Sequence, residues 1–298
     1  MKIVVAGGTG FIGEPLVRRL LALGHEVSVL TRNPDKVPAG RGVKWDGKSQ
    51  GPWSSVIATA DVVINLAGEN IADGRWTAER KRQLTDSRTD SARALVAAMK
   101  QAKQKRTFIN ASAVGYYGTR GDEELSEEGS RGTGFLADLT ASWEQEAREA
   151  EAVSRLVILR FGVVLAGEGG ALAKMALPFR LGVGGRVGSG NQWISWIDRE
   201  DLLRMIEWVI ANEAVRGVYN ATAPKPVTNR EFTAVLARAL HRPAIMPAPA
   251  FALRLAFGEM ADEVLLGGQR VVPSRAVAEG FAFQVPSIEA SLRNAFAK

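Results

Sequence analysis

Cysteine is absent from all 298 residues, which excludes disulfides, a thiol nucleophile and cysteine-ligated zinc. Histidine is nearly as scarce. His25 and His241 are the only two, far apart and each near an expected helix end, which leaves little from which to build a histidine metal site or a Ser-His triad. No apolar run reaches the ~18 residues of a membrane span, so no membrane partner is expected. The first expected strand begins at residue 2, leaving no room for a signal peptide, and the cytoplasm is the simplest location. The net charge of +6 is dispersed, without the aromatic-interleaved basic stripe of a nucleic-acid binder, and no nucleic-acid partner is expected. Internal repeats and low-complexity segments are lacking. Tyrosine occurs only at 116, 117 and 219, and no lysine falls between Lys105 and Lys174.

What is present describes an ordinary globular chain. With 46% hydrophobic and 23% charged residues, it has material for one large α/β domain, or one domain plus a smaller lobe. Residues 1–30 are the most informative stretch. Ile3, Val4 and Val5 suit a strand buried on both faces. Residues 12–23 suit a helix whose apolar members are Leu16, Leu20 and Leu23, with Pro15 in its first turn and Gly24 as its stop. A second strand follows at 26–30. Between the first strand and the helix lie Gly7, Gly10 and Gly13 of Gly-Gly-Thr-Gly-Phe-Ile-Gly, one residue wider at the front than the common dinucleotide fingerprint. Glycine lets such a loop turn tightly against a pyrophosphate, whose charge then rests on the helix N-terminus. Strand, loop and helix in a unit of ~30 residues give the context that a bare glycine triplet lacks.

The second strand ends in Thr31 and Arg32, where an Asp or Glu would hold the ribose hydroxyls of NAD. A hydroxyl and a guanidinium there suit a 2′-phosphate and argue for NADP; a solvated loop arginine is the alternative. Further strands are expected at 43–45, 61–67, 107–113, 156–165 and 217–220. Helices are expected at 77–103, 136–153 (Trp143 inward) and 198–212, and from a Thr228/Glu231 capping box to Leu240. Residues 122–128 read as an exposed acidic loop. This alternation is that of an α/β, doubly wound parallel-sheet Rossmann fold, in which ligands bind at the carboxyl ends of the strands. That rule gathers the glycine loop, Thr31-Arg32, Leu66-Ala67-Gly68, Ser112 to Tyr117 and Gly162 to Val164 along one edge. Residues 1–165 are expected to form the cofactor domain, with 195–222 packing back onto it. Residues 166–298 are expected to form a smaller, mostly helical, substrate-side lobe.

Several motifs carry a family resemblance. They are the glycine loop, Asn65-Leu66-Ala67-Gly68-Glu69-Asn70, Arg75-Trp76 with Ser87-Arg88, and Ser112-Ala113-Val114-Gly115-Tyr116-Tyr117-Gly118. Leu159-Arg160-Phe161-Gly162-Val163-Val164-Leu165, Gly188-Ser189-Gly190-Asn191-Gln192, Trp196-Ile197-Asp198 and Gly267-Gly268-Gln269-Arg270-Val271-Val272-Pro273 extend it over essentially the whole chain. The sequence resembles the extended and atypical short-chain dehydrogenase/reductases, within them the epimerase family related to nucleoside-sugar epimerases, with its C-terminal domain of unknown function. The resemblance implies a Rossmann fold, NADP binding and a substrate cleft between the lobes. Gly7, Gly10, Phe11, Ile12, Gly13, Thr31, Arg32, Leu66, Ala67, Gly68, Arg88, Ser112 and Val163 are the expected cofactor residues, with an exposed helix charge the alternative for Arg88.

Enzymes of that superfamily pair a tyrosine with a lysine four residues later, the lysine lowering the phenol pKa from about 10. The matching helix here reads Phe135-Leu136-Ala137-Asp138-Leu139, and the assisting serine is replaced by Ala113 beside Ser112. The remaining acid/base candidates are Tyr116 and Tyr117, with Ser112 as hydrogen-bond partner. Against this stands the reading that one tyrosine packs under the nicotinamide and the other lines the pocket. Arg160 is expected as a buried pairing partner, and Arg186 as a contact for a substrate phosphate or a solvated loop charge. Two functions follow: an NADP-dependent oxidoreductase or epimerase-like enzyme on a small carbonyl or nucleotide-sugar-type substrate, or a non-catalytic NADPH-binding sensor.

Overall fold

Strand β1 (Lys2–Ala6) lies near the middle of a seven-stranded parallel sheet. β2 (Glu26–Thr31) and β3 (Arg41–Lys44) follow on one side of it. β4 (Val62–Asn65), β5 (Arg106–Ala113), Ser154–Phe161 and Gly217–Ala221 follow on the other. The computed structural model describes residues 1–102 and 104–297. Because the chain leaves β1 first toward β2 and later returns to pair β4 with β1, the strand order reverses between β1 and β4. A doubly wound sheet has its ligand crevice at that reversal.

Four helices pack on this sheet: α1 (Gly13–Ala22), α2 (Ser54–Ala58), α3 (Ala78–Gln101) and α4 (Phe135–Arg148). α1 and helix Arg199–Ala211 cover one face of the sheet through Leu16, Val17 and Leu20 and through Leu202, Ile206 and Val209. α2 and α3 cover the other through Ile57, Leu95 and Met99. The central strand β1 is therefore buried on both sides, as Ile3, Val4 and Val5 required. In α1 the inward positions are Leu16, Val17 and Leu20, whereas Leu23 is 58% exposed. Leu23 is the C-cap, already past the last turn that faces the sheet.

α3 starts on Thr77, whose Oγ1 accepts from the Arg80 amide; Lys103, which the sequence put at its end, lies outside the described residues. The continuous strand expected at 156–165 is broken. Gly162 separates Ser154–Phe161 from Val163–Leu165, which pairs with Trp196–Asp198 instead. A Cβ at Gly162 would meet the Ser195 carbonyl oxygen at 2.6 Å, so the chain crosses there only as glycine. The acidic loop at 122–128 is anchored. Glu124–Leu125 pairs with Arg270–Val271, and the Glu127 carboxylate accepts from the Asn220 and Arg275 amides.

The C-terminal part is mostly helical. Helices Gly170–Arg180, Asn229–Leu240 and Ile288–Phe296 enclose a separate apolar cluster around Leu172, Phe179, Trp196 and Leu292. The capping box is present, with the Glu231 amide bonded to Thr228 Oγ1 and the Thr228 amide to Glu231 Oε2. Helix Gly170–Arg180 was not expected from the sequence. Two glycines at its start and Pro178 within its last turns mask its period.

Candidate cofactor cradle and active site

The β1–α1 loop is held by contacts that leave no room for side chains. Gly7 has φ +79°, and a Cβ on it would lie 2.7 Å from the Leu66 carbonyl carbon and oxygen. One on Gly13 would lie 2.1 Å from the Gly7 carbonyl oxygen. The Gly10 amide donates to that oxygen at 3.1 Å, closing the turn. The N-cap position, Ile12, supplies no side-chain acceptor, and the first-turn acid Glu14 is drawn to Arg18 at 2.9 Å. In that turn Pro15 has no N–H and the Glu14 amide donates to Gly10 O at 2.9 Å, so it is the positive end of the helix dipole, free of a side-chain cap, that is left for an external anion.

The remaining expected cofactor residues lie along the same strand ends. The Leu66 amide donates to Ala6 O and the Ala67 amide to Asn65 Oδ1, which seats the Leu66-Ala67-Gly68 turn beside the glycine loop. The Phe11 ring lies against Gly169 and Gly170, and Ile12 packs into the core beside α1. Thr31 Oγ1 accepts from the Asn33 amide. Arg32 is exposed and lines a cavity of about 240 Å³ together with Lys44, the paired rings of Trp45 and Trp53, and Asp46. Asp46 is turned into its own loop. Backbone N–H groups of Lys48 and Ser49 bond its carboxylate and hold it at about 2. Lys44, which sequence reasoning missed, reaches this cavity because it pairs with Thr31 across β2 and β3. Glycine cradle, uncapped helix end and paired cations together fit a dinucleotide phosphate.

Arg88 lies behind the Gly68 turn. Its guanidinium donates to Leu84 O and Glu69 O and sits 5.4 Å from the Trp143 ring; burial lowers its pKa to about 10. It braces the turn. Val163 is half-buried, and its amide donates to Ser195 O at 2.8 Å.

At the end of β5 the structure closes a buried polar network. Glu144 on α4 accepts from Arg160 Nε at 2.7 Å and Nη2 at 2.8 Å, and from Ser112 Oγ at 2.7 Å. Arg160 Nη1 donates to the Tyr117 hydroxyl at 2.9 Å, and that hydroxyl donates to Asn220 Oδ1 at 2.7 Å. Burial would depress the Arg160 pKa, but the hydrogen bonds and charge of Glu144 outweigh it and hold it above the ordinary value. Tyr117 has no exposed surface, and burial pushes its pKa up despite Arg160. Tyr116 differs. It is half-buried, its ring lies 3.4 Å from the Arg160 guanidinium carbon, and its hydroxyl takes no part in the network. The structure therefore brings Ser112, Tyr116 and Tyr117 together around Arg160, the expected buried partner.

Sequence reasoning missed two further residues. Glu144 could have been found, since it shares the inward stripe of α4 with Ala137, Thr140 and Ala147. Glu263 could not; its carboxylate accepts from the Phe135 and Leu136 amides at the start of α4, far away in sequence. Asp198 and Asp201 are structural acids. The first caps helix Arg199–Ala211, and the second accepts from the Gln284 and Val285 amides.

Comparison with known proteins agrees with this geometry. The NAD dependent epimerase/dehydratase family matches residues 3–222, and a domain of unknown function (DUF1731) matches 248–295. The chain belongs to the NAD dependent epimerase/dehydratase family. Among curated members it is 42% identical to the epimerase family protein Mb2239 of Mycobacterium bovis, over 97% of this chain and 96% of that one. It is 39% identical to the epimerase family protein SDR39U1 of Mus musculus, over the full length of both. The crystal structure of human SDR39U1 with NADPH superposes with a TM-score of 0.90 at 35% identity, covering 99% of each chain. UDP-glucuronic acid 4-epimerase of Bacillus cereus, at 17% identity and a TM-score of 0.81 over 99% of this chain and 98% of that one, shares the fold.

Proposed function

We propose that this family member is an NADP-dependent oxidoreductase or epimerase-like enzyme acting on a small carbonyl or nucleotide-sugar-type substrate. The observation that carries the reading is the end of β2, where Arg32 and Lys44 line one cavity and its one lining carboxylate, Asp46, is bound to its own backbone. The NADPH in the human relative supports the same choice. When bound, the nicotinamide supplies or accepts a hydride. Gly7, Gly10, Gly13 and the first turn of α1 would take the pyrophosphate, and Thr31, Arg32 and Lys44 the 2′-phosphate. Leu66, Ala67 and Gly68, braced by Arg88, would border the nucleotide, with Phe11, Ile12, Ser112 and Val163 along the same edge.

The chain's own proton chemistry falls to Tyr116. Ser112 and Tyr117 have their hydroxyls engaged, and their network fixes Arg160 against the Tyr116 ring, leaving that phenol to hold or move a proton at the substrate. Closure of those two hydroxyls also favours a second reading, a protein that holds NADPH without turnover. Assaying NADPH oxidation against a carbonyl panel separates the two. Turnover that Tyr116→Phe abolishes supports the enzyme. Tight NADPH binding without turnover on any substrate supports the sensor, and undiminished turnover by Tyr116→Phe removes the phenol from the mechanism.

A further inference from the structure

Arg186, which the sequence left between a substrate phosphate and solvent, does not stand alone. The backbone brings Arg230 beside it. The Arg230 amide donates to Gly190 O at 2.8 Å, and the Gly190 amide to Val187 O at 3.0 Å. A Cβ on Gly190 would lie 3.4 Å from Arg230 Cβ and 3.5 Å from Arg186 Cδ, so the two side chains flank one glycine. Both line a cavity of about 290 Å³, together with Thr233 of helix Asn229–Leu240 and with Ala244, Ile245 and Pro247. The segments around it are tied to one another. Met246 N donates to Gly184 O and Ala248 N to Arg186 O, which joins 244–248 to the arginine loop. Asn229 Oδ1 accepts from the Val187 amide at 2.9 Å, which joins the helix to the same loop. The cavity is therefore held by backbone bonds rather than by the side chains that line it.

Those side chains are charged with one sign. No Asp or Glu lines the cavity, and neither arginine has a carboxylate partner among the described residues. Each gives one N–H to a loop oxygen at 3.3 Å, Arg186 to Ser189 O and Arg230 to Asn191 Oδ1. The other donors of each guanidinium fork stay available. Glu231, next to Arg230, is engaged by the Thr228 amide and hydroxyl in the capping box. Thr233 is only 8% exposed, and its hydroxyl has no hydrogen-bond partner among the described residues. A buried hydroxyl in that state is unfavourable until a ligand pairs with it. Two guanidinium forks with a free hydroxyl make a donor set for phosphate oxygens. Ala244, Ile245 and Pro247 add an apolar wall, which suits an organic group attached to the phosphate.

We propose that this cavity binds a phosphorylated small molecule, its phosphate between Arg186 and Arg230 and its organic part against Ile245 and Pro247. The site goes beyond the oxidoreductase reading and does not depend on it, since none of its residues belongs to the cofactor cradle or to the network around Arg160.

Calorimetric titration of the NADPH-saturated chain with phenyl phosphate tests the proposal, the dinucleotide keeping the probe out of the cofactor cradle. Phenyl phosphate is expected to bind at one site per chain, about tenfold or more tighter than inorganic phosphate because its ring leaves water. Benzyl alcohol, a ring without the anion, is expected to give no binding heat. Arg186→Ala and Arg230→Ala, both at exposed positions, are each expected to weaken phenyl phosphate about tenfold or more, and Thr233→Val about threefold to tenfold. NADPH affinity and circular dichroism are expected to keep their parent values in all three. No binding of phenyl phosphate, equal affinity for inorganic phosphate, or full affinity in both arginine variants overturns the site. If NADPH itself fails to bind, phenyl phosphate binding that still depends on both arginines refutes the cofactor reading and leaves this site standing.

Discussion

Arg160 was legible as a buried pairing residue because a charge inside an apolar run needs a counter-charge. Its partner, Glu144, was missed although it stands on the inward stripe of α4. The pair is fully desolvated, both side chains being 3% exposed, so removing one partner strands the other. Glu144→Gln is expected to cost about 3–5 kcal/mol in urea unfolding, and Glu144→Leu with Arg160→Met to recover much of that loss. Equal stability of the single variant and the parent would show that the pair is not holding its surroundings. At the end of β2 the sequence pointed to Thr31 and Arg32 but not to Lys44, since a residue on the neighbouring strand becomes visible only with the register. Arg32→Ala and Lys44→Ala are each expected to weaken NADPH about tenfold or more, with NADH affinity unchanged, by fluorescence titration. An unchanged NADPH to NADH ratio in both would remove the 2′-phosphate assignment.

Local elements were legible where their signals lie within a dozen residues. β1, α1 and β2, the Thr228 box and the Asp198 cap all follow from neighbouring side chains and glycines. The break at Gly162 and the anchoring of 122–128 did not, because their causes, the Ser195 carbonyl and Arg270–Val271, come from later in the chain. Helix α4 combines both situations. Its inward Trp143 was foreseen, and its N-terminal closure by Glu263 was not. Glu263→Ala is expected to destabilise the fold by about 1–2 kcal/mol, read as a lowered urea midpoint, while NADPH affinity stays near the parent value. In the glycine loop, Gly13→Ala would drive a methyl into the Gly7 carbonyl. It is expected to abolish NADPH binding in fluorescence titration while the urea midpoint still reports a folded chain; retained affinity would mean the loop can open without loss.

At the scale of the molecule the parallel sheet was legible from alternation alone, and the helical C-terminal part only as short punctuated segments. Contact between the two rests partly on Tyr219, whose hydroxyl donates to Glu279 while Arg275 lies over its ring. Burial and the Glu279 hydrogen bond push its pKa up to about 12. Between pH 10 and about 12 the unfolded phenol has lost its proton and the folded one retains it, so stability falls as pH rises through that window. Tyr117, also raised by burial, adds to the same slope. Tyr219→Phe is expected to flatten the dependence in urea melts across this window, and an identical slope would dissociate Tyr219 from alkaline unfolding.

The Glu263 contact also has a temporal meaning. Glu263 lies 128 residues beyond the Phe135 amide it accepts from, whereas β1, the glycine loop and α1 all lie within the first 22 residues. During synthesis β1, the glycine loop and α1 can form long before α4 receives this acceptor. Closure of the α4 N-terminus is thus a late event, one that waits on a segment of the C-terminal part.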